Sequence, residues 1–191
     1  MHQIRNAIAS NLNPIEVADL LEEADAESFG VMEAILEEAI LRTNHPAGHN
    51  DIPPCLCLSE CTLPGLISMS ERYGRFGFVF RKSDLFALGA RPCIYLDRDV
   101  YGLIANNWRG EPSSTIGGRL WGLSNVYCPP NSGQIQDYTH EREWRSFSPI
   151  NLASTPPCFM VAPDAYVTRS RDLWRSDGLV FPLDVLYKWG A

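Results

Sequence analysis

The hydrophobic period of this chain changes near residue 54, and that change restricts it to folds that set helices beside short strands. Ahead of the change, Asn13-Pro14-Ile15-Glu16 reads as a helix start, with Asn13 as N-cap, Pro14 at the first helical position and Glu16 placed to return a capping-box bond. Val17, Leu20 and Leu21 supply its apolar stripe. A second helix is predicted after Ser28, with Val31, Met32, Ile35, Leu36 and Ala39 at helical spacing and Glu33, Glu37 and Glu38 turned to water. Residues 43–54, rich in Asn, Pro, Gly, His and Asp, read as a loop of the kind that wraps over sites.

Beyond that point the runs shorten. Cys55 to Glu60, Phe76 to Phe80 and Cys93 to Leu96 are predicted strands, separated by a Thr62-capped helical turn and a short helix from Ser83 that stops at Gly89. Residues 110–118 and 129–133 read as loops, and Trp144 to Phe147, Phe159 to Val161 and Leu179 to Phe181 as further strands. Arg169 to Arg175 reads as the solvated face of a short helix with Leu173 and Trp174 inward. The expectation is an α+β fold with two N-terminal helices, in a single domain over 1–191 with a flexible N-terminal stretch at 1–12.

Charge narrows the partners. Sixteen Lys and Arg against 23 Asp and Glu leave a formal net charge of -7, which argues against a surface coated for duplex binding. A local basic groove is still compatible with that balance, since Arg142, Arg145, Arg169, Arg171 and Arg175 gather in the C-terminal third. No secretory pattern follows Met1, and no window approaches eighteen uninterrupted apolar residues, so a cytoplasmic protein with reduced thiols and no membrane partner is expected.

The densest chemistry is Asp137-Tyr138-Thr139-His140-Glu141-Arg142-Glu143-Trp144-Arg145. On a strand, alternation sends Glu141, Glu143 and Arg145 to one face and His140, Arg142 and Trp144 to the other. Two carboxylates so placed can hold a sugar hydroxyl and stabilise a cationic sugar transition state. The plain alternatives are a solvated edge strand or a helical turn pairing Glu141 with Arg145. His45, His49, Cys55, Cys57 and Cys61 invite a zinc reading, but the spacing lacks the second half of a paired-cysteine site, and no metal is expected. A phosphate-cradling glycine loop and a nucleophile elbow are both absent from the sequence.

Four ordered motifs carry a resemblance: Cys57-Leu58-Ser59-Glu60, Glu71 to Lys82, Gly89 to Tyr95, and Asp137 to Arg145. Together they resemble the AbiGi-type proteins of bacterial abortive-infection and phage-defence loci, over about residues 31 to 165. A second similarity is to DarT-like ADP-ribosyltransferases, which imply an ADP-ribosyltransferase-like split sheet and NAD as substrate. Carried over by position, that likeness implies Arg42 as the early cation on the NAD pyrophosphate, Ser59 as the middle-strand hydroxyl, Glu143 as catalytic acid and Glu141 as its helper. Tyr73 would stack on nicotinamide, and Arg75 and Arg145 would bind phosphate. The opening strand of such enzymes, with its His or Tyr, has no counterpart here beyond His2. The implied activity is transfer of ADP-ribose to a nucleic-acid or protein acceptor in phage defence or a toxin system, with a cognate antitoxin or toxin as partner. The alternative is a non-catalytic antitoxin or phage-sensing module with the same fold. A metal-dependent phosphodiesterase is disfavoured by the scarcity of aspartate around 137–145.

Overall fold

The computed structural model describes residues 14–46, 49–127, 142–174 and 178–185. In chain order these form α1 (Pro14–Glu38), β1 (Ile40–Leu41), β2 (Leu56–Ser59), α2 (Leu63–Tyr73), β3 (Gly77–Val79), α3 (Lys82–Ala87), β4 (Arg91–Pro92) and β5 (Ile94–Leu96). There follow α4 (Arg98–Trp108), α5 (Ile116–Leu123), β6 (Ser124–Val126), β7 (Glu143–Ser146), β8 (Ile150–Asn151) and β9 (Phe159–Ala162). A 3-10 turn (Asp164–Tyr166), α6 (Val167–Leu173) and β10 (Leu179–Pro182) complete the set. The fold is α+β, with its strands in several small sheets.

Two compact units share the chain. The first takes Met1–Ile40, Thr62–Arg81 and Leu152–Ala191; the second takes Leu41–Cys61 and Lys82–Asn151.

In the first unit, β9 is the middle strand of β10-β9-β3, parallel to β10 and antiparallel to β3. Met160 and Ala162 point from it into a core with Val180 and Met32, against which Leu36, Phe76, Phe78 and Trp174 pack. Phe29, Phe76 and Tyr166 stack beside it with centroids 5.0–5.8 Å apart. Thr62 caps α2 as expected, its Oγ1 accepting from the Gly65 amide at 3.2 Å.

The expected pair of N-terminal helices is instead one helix of 25 residues. Ser28 has the character of a start signal, but Glu22-Glu23-Ala24-Asp25-Ala26-Glu27 leads into it with good helix formers and no proline, so the helix continues through it. Gly30 costs about 1 kcal/mol at most in a helix interior, too little to break one whose Phe29 and Met32 are buried. The helix ends where Ala39 turns to a φ of 53°.

In the second unit, β7 is the middle strand of β2-β7-β4, antiparallel to both neighbours. β5 and β6 form a separate parallel pair. Ile52, Ile104, Ala105 and Trp121 make the core, and the Trp121 indole donates to the Asp51 carbonyl at 2.9 Å. Ile52 therefore anchors the loop expected at 43–54 into the core of its own unit, and Asn44 bridges Cys55. Helices α4 and α5 are additions to the expected elements, and α5 begins inside the stretch that reads as a loop at 110–118. Their start signals are ordinary ones: Asp97 accepts from the amides of Asp99 and Val100, and Thr115 from that of Gly118.

Candidate functional site

The Glu143 strand has the alternation its sequence implies. Glu143 and Arg145 are buried at 8% and 4% exposure on one face of β7, and Trp144 lies on the other. Trp144 is half-buried; its indole donates to Glu60 Oε2 at 3.3 Å, and the Lys82 ammonium sits 5.4 Å from its ring centroid. On this second face Glu60 also pairs with Lys82 at 2.9 Å and Arg142 at 2.7 Å. Arg142 reaches it from a left-handed backbone, with φ of 43°.

On the buried face the two charges satisfy each other. Arg145 Nε donates to Glu143 Oε1 at 2.8 Å and Nη2 to Oε2 at 3.2 Å, a two-point fork between residues two apart on one strand. Arg145 Nη1 donates to the Gly122 carbonyl at 2.6 Å, and Asn125 Nδ2 adds a bond to Glu143 Oε2 at 3.2 Å. Burial alone disfavours the Arg145 charge; the bonds to Glu143 outweigh it and hold the guanidinium above its ordinary range. The backbone is pinned as well, with the Glu143 amide donating to the Tyr95 hydroxyl at 3.1 Å and its carbonyl accepting from the Cys93 amide at 2.8 Å.

Ser59 is the Cα partner of Glu143 across the β2–β7 ladder, and Cys57 is the partner of Arg145. Cys57 is exposed while Cys55 is buried, and their sulfurs lie 3.9 Å apart. Burial pushes the buried Cys93 thiol up to about 12, opposed by Arg145 and reinforced by Glu143. Arg42 is exposed in the same unit, on the segment whose Asn44 bridges Cys55 beside β2. Arg42, Ser59, Glu143 and Arg145 thus share one unit, with Ser59 and Glu143 in direct register.

Tyr73 and Arg75 belong to the first unit. Tyr73 is exposed at the end of α2. The Arg75 guanidinium is shared between Asp25, at 2.8 Å, and Asp184, at 2.5 Å. Arg75, the group assigned to phosphate by resemblance, thus has one donor of each terminal nitrogen engaged by a carboxylate within its own unit. Glu141, with His140 and Tyr138, lies outside the described residues.

Asn125 and Tyr95 are partners of Glu143 that the sequence does not announce. Nothing in their local sequence marks them; they reach Glu143 from β6 and β5, strands outside the sheet that holds it. Among the described residues, no three His, Cys, Asp or Glu converge into a metal site, and no helix is long and apolar enough to cross a membrane. No family model, curated protein or solved structure matches the chain.

Proposed function

We propose that the second unit carries an ADP-ribosyltransferase-like site that takes NAD as substrate, with Glu143 as the acid that holds the ribose. The observation that carries this reading is the register of Ser59 opposite Glu143 on adjacent antiparallel strands, a hydroxyl and a carboxylate delivered to one place by strands far apart in sequence. The segment following Arg42 bridges the residue just before β2. A carboxylate offers about four lone-pair positions. Arg145 takes two and Asn125 one, and the weakly donating Cys57 and Cys93 thiols also lie against the carboxylate, so a ribose hydroxyl would bond to Glu143 by displacing a thiol.

In this reading Arg42 pairs with the pyrophosphate and Ser59 lines the ribose. The bond between nicotinamide and ribose breaks with its electron pair going to nicotinamide, and the sugar carbon left positive is stabilised by the oriented carboxylate. An acceptor nucleophile on nucleic acid or protein then bonds to that carbon and releases a proton. Glu143→Gln preserves size but removes the countercharge of the buried Arg145, so it is expected to lower the melting temperature and, assayed at a temperature where its circular-dichroism spectrum still matches that of the wild type, to abolish nicotinamide release. Nicotinamide release at the wild-type rate in that variant overturns the assignment.

One observation favours a second reading, a non-catalytic defence module of the antitoxin or phage-sensing kind. The Arg145 fork leaves the Glu143–Arg145 pair with no net charge, which blunts the stabilisation of a cationic transition state. NAD titration separates the two. A ligand that binds only the folded state adds about 2.7 kcal/mol of stability at one hundred times its dissociation constant. A chain whose melting temperature does not respond to NAD, and which copurifies with a cognate partner, is the non-catalytic module.

A further inference from the structure

We infer that Cys55 and Cys57 form a thiol–disulfide exchange site for small disulfides, with Cys57 taking the incoming group and Cys55 resolving it. This goes beyond the NAD reading and stands independently of it.

The two residues alternate with Leu56, so both side chains leave the β2 segment on the same face. Their sulfurs are 3.9 Å apart, within hydrogen-bond reach for sulfur. Their accessibility divides the labour. Cys57 is exposed and able to meet a reagent from solution, whereas Cys55 is 4% exposed and reaches only what is already attached to its neighbour. Arg145 is the cross-strand partner of Cys57, but its charge is met by Glu143, so the pairing of the two thiols and not a nearby cation sets their ionisation. The hydrogen bond between the two sulfurs, in which either can donate, lowers the Cys55 thiol below its ordinary range against the opposing effect of burial, with Arg145 adding to the lowering, and the same bond raises Cys57. The two thiols therefore titrate as a pair that gives up its first proton as a unit, and a proton passing between the sulfurs can leave the charge on Cys57 for the first attack.

The chemistry balances in two exchanges. The Cys57 thiolate, its proton lost to solvent or to its neighbour, attacks one sulfur of the small disulfide; a new S–S bond forms at Cys57 and one small thiolate leaves. The Cys55 thiolate then attacks the Cys57 sulfur and expels the second small thiolate. The chain gives up two electrons and two protons and ends with a Cys55–Cys57 bond; the small disulfide ends as two thiols. Closing that bond brings the sulfurs about 2 Å nearer. Residues two apart on a strand are separated by about 6.6 Å, the wide end of the span a disulfide bridges, so β2 must pucker and small dithiols should reopen the bond readily.

The test uses the full chain with Cys61, Cys128 and Cys158 replaced by Ser, so that Cys55, Cys57 and Cys93 remain, exposed to oxidised glutathione and followed by intact mass. The expected course is a transient gain of one glutathione, then a product lighter than the starting chain by two hydrogens and restored by a small dithiol. Cys55→Ser in that background should stop at a stable glutathione adduct on Cys57, and Cys57→Ser should stay unmodified. A stable adduct when both cysteines are present, or a bridge that maps to Cys93, overturns the proposal. Should a variant fail to fold, peptide mapping of the oxidised, unsubstituted chain decides the matter. An internal loss of two hydrogens in the fragment holding Cys55 and Cys57 supports the bridge, and its absence overturns it.

Discussion

Glu143 and Arg145 stand two residues apart on one face of β7 and close a two-point ion pair on each other, both buried. Such a pair is dangerous to split. Arg145→Met should destabilise the chain by about 3–5 kcal/mol, because it strips a buried carboxylate of its countercharge and leaves it the neutral Asn125 amide. Pairing it with Glu143→Leu should recover much of that loss, since an apolar pair needs no desolvated charge. Urea unfolding of the single and double variants checks this, and a double variant no more stable than Arg145→Met refutes it.

Glu60 works on the opposite face of the sheet and under different rules. Its carboxyl is held below the usual carboxylate range, chiefly by the hydrogen bond from Lys82, helped by Trp144 and Arg142. A depressed acid contributes stability above its unfolded value of about 4.3, and loses it as pH falls through the lower folded value. Glu60→Gln should therefore be less stable than the wild type at pH 7 by no more than about 1 kcal/mol, since Lys82 and Arg142 are largely exposed. The gap should close in acid. A pH series of thermal unfolding that shows a constant gap contradicts the account.

Two glycines call for opposite outcomes. A Cβ on Gly118 would run into the backbone of Pro112 and Glu111, which cannot rotate aside, whereas one on Gly102 in α4 meets nothing within 4 Å. Gly118→Ala should cost about 1–3 kcal/mol through overpacking. Gly102→Ala should add about 0.5–1 kcal/mol by restricting the unfolded chain. Denaturant midpoints of the two variants should move in opposite directions.

Ser170 is fully buried in α6, and its hydroxyl has no hydrogen-bond partner among the described residues. Removing that oxygen removes a desolvation cost of about 1–3 kcal/mol, so Ser170→Ala should raise the melting temperature. A lowered one would mean that the hydroxyl is satisfied in solution.

Where a signal in the sequence is local, the structure repeats it. Thr62 caps the helix it precedes, Gly89 turns at a φ of 91° after α3, and the alternation of Glu143, Trp144 and Arg145 holds residue by residue. The length of α1 is hidden because Ser28 resembles a cap while nothing nearby interrupts the helix. Helices α4 and α5 do carry local marks, Asp97 and Thr115, but glycines inside both helices and the Gly and Ser cluster ahead of α5 mask them. The Glu143–Arg145 fork is beyond local reading altogether. Its geometry depends on the Gly122 carbonyl and the Asn125 amide, brought in from α5 and β6 by packing that no spacing rule encodes.

The interleaving of the two units sets an order for synthesis. The second unit has its last residue at Asn151, but the first also needs Leu152–Ala191, whose β9 and β10 form two of the three strands of its sheet. Helix α1, made early, finds Met160, Ala162 and Val180 only when the ribosome has delivered the whole of the second unit. At about 5–20 residues per second, that helix waits roughly 7 to 28 seconds with Phe29 and Met32 uncovered. The exposed interval before the last strand emerges is when a nascent-chain chaperone has something to hold.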